Sequence, residues 1–103
     1  MDLRGKSFIG ANLDRADLTV ADLRQVDLSG ANLSACFLTG ARMDGADLRN
    51  ACLDGAFLVG TELRGARMDG VSMKAATYDQ ATVWPDGFRP PTSDATLWHG
   101  RST

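Results

Sequence analysis

A leucine recurs at every fifth residue of the segment ADLTVADLRQVDLSGANLSA, residues 16–35. On an α-helix a step of five residues rotates about 140°, so these leucines would spread around every side and no single face could bury them. On a flat strand successive leucines would point to opposite faces. The period therefore predicts a chain that runs extended for a few residues and then turns a corner, so that every leucine points inward.

The five-residue unit continues from residue 1 to residue 85 without an insertion, and the central position of all 17 units is apolar or aromatic. A small residue, most often Ala, stands two positions earlier, and residues two apart on a short strand point the same way. The residue between them, which is polar in most units and often Asp or Asn, is predicted to face outward. Gly at the fifth position of nine units suits a corner with positive φ. The predicted core ladder is Leu13, Leu18, Leu23, Leu28, Leu33, Leu38, Met43, Leu48, Leu53, Leu58, Leu63, Met68 and Met73.

The motif A(D/N)LXX, seen in ADLTV, ADLRQ and ANLSA, resembles the repeat of the pentapeptide-repeat proteins. This resemblance covers residues 1–85. It implies an all-β fold, a right-handed, four-sided parallel β-helix solenoid with one coil per about 20 residues and therefore about four coils. The motif's outward Asp or Asn is absent at Phe37, Arg42, Cys52, Phe57 and Arg67.

A coil of this length makes a further prediction about stacked neighbours. If each residue lies beneath the one about 20 positions later, outward residues in one column should be chemically compatible, like cross-strand pairs. Residues 22, 42 and 62 alternate in charge, as do residues 24, 44 and 64. Phe37 would stack directly on Phe57. The first coil breaks the alternation, because Asp2 would lie beneath Asp22 and Arg4 beneath Arg24.

One side of the predicted coil differs from the other three, which are polar or charged. It carries Val20, Phe37, Thr39, Phe57 and Val59. An apolar stripe on an outward face is typical of an interaction surface. It is equally compatible with a purely structural stack of the two phenylalanines, which contributes about 0.2–1 kcal/mol. Both interpretations stay open.

The two ends of the predicted solenoid need different treatment, because an end exposes unpaired backbone groups. Residues 86–103 form a separate capping tail after the repeat domain of residues 1–85, and we expect Trp84, Phe88 and Trp98 to lie across the last coil. No comparable cover is apparent at the N-terminal end, where Met1 and Lys6 take inward positions. Either Lys6 reaches water, or a homodimer forms through this end.

Composition and motifs give no indication of a catalytic, metal-binding or nucleic-acid-binding site. The net charge of −2 predicts neither nucleic acid nor anionic membrane as a partner. The chain contains no long apolar run and enters the repeat at once, so we expect a cytoplasmic protein without a signal peptide. Cys36 is predicted inward and Cys52 outward, and they are not expected to pair. A single histidine, His99, and the absence of phosphate-binding or metal-ligand spacings predict a non-enzyme without cofactor or metal.

Two functions are compatible with these features. The first is a structural scaffold or protein-interaction module that presents one rigid face to a protein partner of unknown identity. The alternative comes from the resemblance alone: some pentapeptide-repeat proteins look like DNA and bind type II topoisomerases such as gyrase, which protects these enzymes from quinolones or toxins. Charge disfavours it here. A duplex about 20 Å long carries roughly 12 phosphates, whereas residues 1–85 contain 11 acidic and 9 basic residues.

Overall fold

The computed structural model describes residues 1–90 and the backbone of residues 96–97. Parallel backbone bridges join residues 20 positions apart, beginning with the pairs 2–22, 7–27, 12–32 and 17–37. Because the same four positions bridge again in the next 20 residues, the chain winds into stacked coils, a β-helix-like arrangement in which each coil contacts its neighbours. The bridges have the spacing that the sequence predicts.

Regular strands are short. In the described chain, β1 covers Thr77–Tyr78 and β2 covers Thr96–Leu97, and they pair in parallel with Thr77 opposite Thr96. The other units make single bridges because each turns immediately after pairing. None of the described residues belongs to a helix long and apolar enough to cross a membrane.

The backbone hydrogen bonds of one unit show how winding and stacking are linked. The N–H of Ala21 donates to the carbonyl of Leu18 at 3.0 Å and closes a corner. The next N–H, from Asp22, donates to the coil beneath, at the carbonyl of Met1, 2.9 Å away. The N–H of Leu23 then donates to the coil above. A unit of an inner coil therefore bonds to both neighbouring coils.

The corners rest on one repeated conformation. Every fifth residue from residue 5 to residue 75 has a positive φ, between 51° and 75°. Nine of these residues are Gly, for which this left-handed conformation costs little. The others are Arg15, Val20, Gln25, Ala35, Asn50 and Ala75. Val20 is the most strained, because a β-branched side chain rarely adopts positive φ.

The core ladder lies along the axis of the coils. From Leu18 to Met73 every ladder residue is buried, with 0 to 8 % of its surface exposed. Leu13 is half-buried, as are Leu3 and Phe8. These three belong to the first coil, which in the described chain has a neighbour on one side only.

The last corner departs from the predicted repeat. Val83 bridges Glu62, which lies 21 rather than 20 positions earlier. Thr82 is buried while Ala81 is exposed, so Thr82 takes the inward position predicted for Ala81. The extra residue is Asp79, whose carboxylate accepts the N–H of Ala81 at 3.0 Å and enlarges the turn. The prediction of an uninterrupted repeat to residue 85 is therefore wrong by one residue.

Aromatic residues cover this end of the core. Trp84 meets Tyr78 edge to face, with ring centroids 5.2 Å apart, and Phe88 packs against Trp84 at 5.3 Å. The N–H of Phe88 donates to the carbonyl of Pro85 at 3.1 Å, which closes the turn between them. Trp98, also predicted to cap this end, lies outside the described residues.

The corner strain at Val20 leads to a stability prediction. Val20→Asn should stabilise the protein by about 1 kcal/mol, because Asn tolerates the left-handed region that costs other L-residues about 1–2 kcal/mol. For a chain of this size that corresponds to a rise in melting temperature of about 4–8 °C. The control is Val59→Asn, one residue before a glycine corner, which should bring no gain. If Val20→Asn melts at or below the wild-type temperature, the positive φ of Val20 does not destabilise the fold as proposed.

Candidate functional site

The outward Asp and Asn side chains hold the backbone. In Asp22, Asp27 and Asp47 a carboxylate oxygen accepts the N–H of the residue two positions later, at 3.0 to 3.3 Å. Such Asx turns satisfy an N–H immediately before the corner. The same bond is made by Asp2, Asn12, Asp17 and Asn32. Sequence reasoning missed this role, although the fixed distance of Asp or Asn from the corner was a signal for it.

Phe37 and Phe57 occupy the same outward position but carry no acceptor atom. Their rings stack in parallel, with centroids 4.9 Å apart and planes inclined by 6°. The exposed fraction is 42 % for Phe37 and 37 % for Phe57. Their column continues to Asp17 on one side and Thr77 on the other. A ring contact thus stands where two Asx turns could form, and about two fifths of the surface of each phenylalanine faces solvent.

The five residues predicted as an interaction surface do come together on one side, and we call them the apolar stripe: Val20, Phe37, Thr39, Phe57 and Val59. Thr39 stands two residues after Phe37, and its carbonyl accepts the N–H of Val20 at 2.9 Å. Val59 takes the corresponding place one coil further on and is half-buried, whereas Val20 at its corner is 71 % exposed. The stripe therefore spans neighbouring coils without a charged side chain.

On the charged side the predicted columns are in register, but the closest ion pairs run along the chain. Asp22 bridges Arg42 as predicted. The nearest cation to its carboxylate is instead Arg24, at 2.7 Å, because residues two apart in an extended segment point to the same side. Arg64 does reach the stacked Asp44, at 3.9 Å. Pairs two residues apart also form in Arg4–Asp2, Arg49–Asp47 and Arg64–Glu62.

Hydrogen bonds within these pairs lower the pKa values of the carboxylates. Hydrogen bonds from Arg24 lower the pKa of Asp22 to about 2, and those from Arg49 lower the pKa of Asp47 to about 2. Side-chain hydrogen bonds lower the pKa in the same direction at Asp2, Asp17 and Asp54. These carboxylates therefore stay ionised at neutral pH, and those of Asp2, Asp22 and Asp47 are paired with an arginine of their own unit.

A shallow groove of about 610 Å³ crosses this charged side, and it is lined by Asp2, Arg4, Gly5, Arg24, Gln25 and Asp44. Both arginines are already paired with aspartates of their own units. Asp44 Oδ1 is buried without a hydrogen-bond partner. With two cations and two carboxylates, the groove offers no excess charge to a ligand.

The remaining reactive side chains are scattered. Cys36 is buried, and burial raises the pKa of its thiol to about 11, so the thiol stays protonated. Cys52 is half-buried, with Sγ 3.2 Å from the hydroxyl of Ser34. Both thiols are free. Within residues 1–90, no three His, Cys, Asp or Glu side chains are grouped to hold a metal ion. His99 lies outside the described residues.

Comparison with known families and structures adds to this geometry. The family model for pentapeptide repeats matches residues 2–40 and 41–77, in eight copies. No curated protein matches the sequence significantly. A solved pentapeptide repeat protein from Nostoc Pcc 7120 is 33 % identical, with a TM-score of 0.48, and the match covers 90 % of this chain and 85 % of that one.

Two further solved structures are similar over longer proteins. A pentapeptide repeat protein from the cyanobacterium Cyanothece 51142 is 30 % identical, with a TM-score of 0.50, over 81 % of this chain and 63 % of that one. QnrB1, a plasmid-mediated fluoroquinolone resistance protein, is 16 % identical, with a TM-score of 0.50, over 95 % of this chain and 57 % of that one. The chain thus spans less than two thirds of either protein. These likenesses imply a right-handed β-helix-like fold.

The lowered pKa values of these carboxylates predict an acid-sensitive fold. Carboxylates with a pKa of about 2 in the folded chain and about 3.9 in the unfolded chain stabilise the fold above about pH 4. This stabilisation is lost as the pH falls from about 4 through 2, because the unfolded chain binds protons first. In Asp22→Asn/Asp47→Asn the amide keeps the Asx acceptor but loses the ion pair.

Thermal unfolding between about pH 7 and pH 2 measures this effect. We expect the Asp22→Asn/Asp47→Asn variant to melt below the wild type at pH 7 and to lose less stability between pH 4 and 2. Asp86→Asn, at an exposed position of the cap turn, is the control and should keep the wild-type slope. Parallel curves for the double variant and the wild type would contradict the assignment of the acid sensitivity to these pairs.

Proposed function

Because this chain belongs to the pentapeptide-repeat family, we propose that it is a scaffold whose apolar stripe binds a protein partner. The observation that carries the proposal is the exposed, stacked pair Phe37 and Phe57. At this position seven units hold an Asp or Asn that closes an Asx turn, and the other units hold Ser, Thr, Glu, Arg or Cys but no aromatic residue. Phe37 and Phe57 can neither accept the N–H of an Asx turn nor bond to water through their side chains. They expose apolar surface instead, which a bound partner would cover.

The geometry of the stripe favours a rigid binding surface. Its backbone is fixed by bonds to both neighbouring coils, so little conformational entropy is lost when a partner binds. Aromatic residues at the centre of an interface supply much of the binding free energy when water is excluded from them. Thr39 adds a hydroxyl beside the rings, and Val20 and Val59 add aliphatic surface. The partner surface that fits is therefore apolar and uncharged.

The proposed role is non-catalytic and requires no cofactor. The space inside the coils is filled by the core ladder, and side chains such as Leu38, Met43 and Leu48 have no exposed surface. We also propose the finer architecture of a four-sided coil with about four turns. Four bridging positions in every 20 residues and a left-handed corner at every fifth residue support it.

Mimicry of DNA towards a type II topoisomerase is the alternative function. The similar fluoroquinolone resistance protein is only 16 % identical to this chain, so the similarity supports the fold and not the function. A DNA mimic needs unpaired negative charge along one face. Here Arg24 lies on Asp22 and Arg49 on Asp47, each at 2.7 Å, so the carboxylates are largely neutralised where they stand. The paired charges favour the scaffold over the mimic.

Partner capture from the native cell tests the scaffold. Phe37→Asn/Phe57→Asn should reduce capture of a stripe-dependent partner at least tenfold, because each exposed ring contributes about 1–2 kcal/mol or more as an interface hot spot. Asn also supplies the acceptor for an Asx turn, which offsets the lost ring stacking of about 0.5–1.5 kcal/mol and should keep the melting temperature near that of the wild type.

The matched control changes the same number of outward residues on the charged side, in Arg42→Asn/Glu62→Asn. These residues also bridge each other directly. We expect this control to capture the same partners as the wild type. Identical partner sets from all three proteins would refute the stripe as the binding surface.

A supercoiling assay with purified DNA gyrase tests the alternative. We expect the protein to leave supercoiling unchanged at micromolar concentration and to give no protection against a fluoroquinolone, because its carboxylates are paired with arginines of the same unit. Inhibition of supercoiling, or protection of gyrase from the drug, that persists in Phe37→Asn/Phe57→Asn would refute the scaffold proposal in favour of DNA mimicry.

A further inference from the structure

One edge of the apolar stripe is bordered by a column of polar and charged residues. They stand just before the corners that lead into the stripe, three positions ahead of its bridging column. Each corner N–H donates to the carbonyl of the next member of the column, as Ala35 does to Asp54 and Gly55 to Lys74, both at 2.8 Å. We call this column the polar rim: Asp14, Ser34, Asp54 and Lys74.

The charges at the two ends of the polar rim are exposed and opposite in sign. Asp14 is approached by Arg15 at 4.0 Å, which is far longer than the 2.7 Å ion pairs of the charged side. Lys74 meets Asp54 through its backbone N–H, at 2.9 Å, and is exposed. Asp14 and Lys74 therefore carry charge that a second molecule can pair with.

We propose that the partner of the apolar stripe is a second copy of this chain, bound stripe to stripe with its coils stacked in the opposite direction. This inference rests on the function proposed above. The stripe needs a covering surface that is apolar and uncharged, and the stripe itself is such a surface. A two-fold axis in the plane of the stripe, midway between Phe37 and Phe57, places Phe37 of each copy opposite the partner's Phe57.

The same axis pairs the two polar rims in a favourable order. It exchanges the level of Asp14 with that of Lys74, and the level of Ser34 with that of Asp54. Asp14 therefore lies opposite the partner's Lys74, and the uncharged Ser34 lies opposite the partner's Asp54. Each pair occurs twice, because the dimer is symmetric. Opposite charges that face each other across an interface fix the register of the two partners.

Other two-fold arrangements of the same stripe are less favourable. An axis through Phe37 places Asp14 opposite the partner's Asp54, and an axis through Phe57 places Asp54 opposite its own counterpart. Like charges directly opposite each other are destabilising. An axis parallel to the stack of coils places the carboxylate of Asp54 against the partner's Val59, which costs desolvation. The antiparallel register centred between the two rings avoids each of these contacts.

The proposed dimer is weak and reversible. Each copy contributes two rings and two valines, whereas obligate dimers bury much larger and more continuous apolar surfaces. The charges of the polar rim are exposed and screened by salt, so they select the register more than they add affinity. We expect a dissociation constant of about 10–500 µM, as for other small, transient interfaces.

Sedimentation equilibrium of the whole chain, from about 1 µM to 1 mM, tests the dimer. Phe37→Asn/Phe57→Asn should weaken it at least tenfold, because the aromatic rings of both copies leave the centre of the interface. Arg42→Asn/Glu62→Asn changes the same number of outward residues on the charged side. It is the matched control and should dimerise like the wild type.

A charge exchange tests the antiparallel register. Asp14→Lys and Lys74→Asp each bring like charges together at two points, so each variant alone should dimerise at least about fivefold more weakly than the wild type. An equimolar mixture of the two variants has opposite charges at both points and should form a heterodimer about fivefold tighter than either variant alone. Recovery in the mixture also shows that both variants are folded. The double variant Asp14→Lys/Lys74→Asp should dimerise like the wild type.

Three results would each overturn the inference: a wild type that stays monomeric throughout the range, a dimer that Phe37→Asn/Phe57→Asn leaves intact, and a mixture that associates no more tightly than its two components. The function proposed above has a separate outcome. If the chain is monomeric but capture from the native cell still yields a partner that depends on Phe37 and Phe57, the scaffold stands and its partner is a different protein.

Discussion

The left-handed residue at every fifth position is the constraint on which the rest of the structure depends. Each such corner redirects the chain so that the next central residue also points inward, and residues 5 to 75 repeat this conformation without a break. The inward direction and the hydrogen-bond register follow together, because a corner of constant geometry returns the chain to the same place after 20 residues. The core is thus a consequence of the corners as much as of the leucines.

The Asx turns join this backbone geometry to the sequence. An N–H that lies just before a corner receives an acceptor from Asp or Asn two residues earlier, so the most frequent outward residue has a structural task. Arginine at the following outward position then neutralises the carboxylate, as in Arg24 and Asp22. Several surface carboxylates are in this way neutralised within their own units, whereas on the side of Phe37 and Phe57 the column holds two aromatic rings beside Asp17.

The sequence predicted the stacking and the ladder well, because both depend on a period that any single strand or helix would violate. It also placed Phe37 over Phe57. The Asx turns were missed because an outward carboxylate is normally interpreted as a solvated side chain. Its role becomes apparent only when the N–H just before the corner, which needs an acceptor, is considered. The extra residue at Asp79 was missed for another reason. Ala81 and Val83 still match the small and apolar positions in the sequence, and the shift is visible only in the structure, in the bridge from Val83 to Glu62 and the burial of Thr82.

A solenoid separates its surfaces in a way that a globular domain does not. Side faces are built from outward residues, so each can change while the ladder and corners stay intact, and the replacement of Asp by Phe37 and Phe57 is such a change. End faces are built from the backbone itself, and their unpaired N–H and C=O groups are present whatever the side chains. A contact through the apolar stripe can therefore arise without any change to the ladder, the corners or the stacking of the coils.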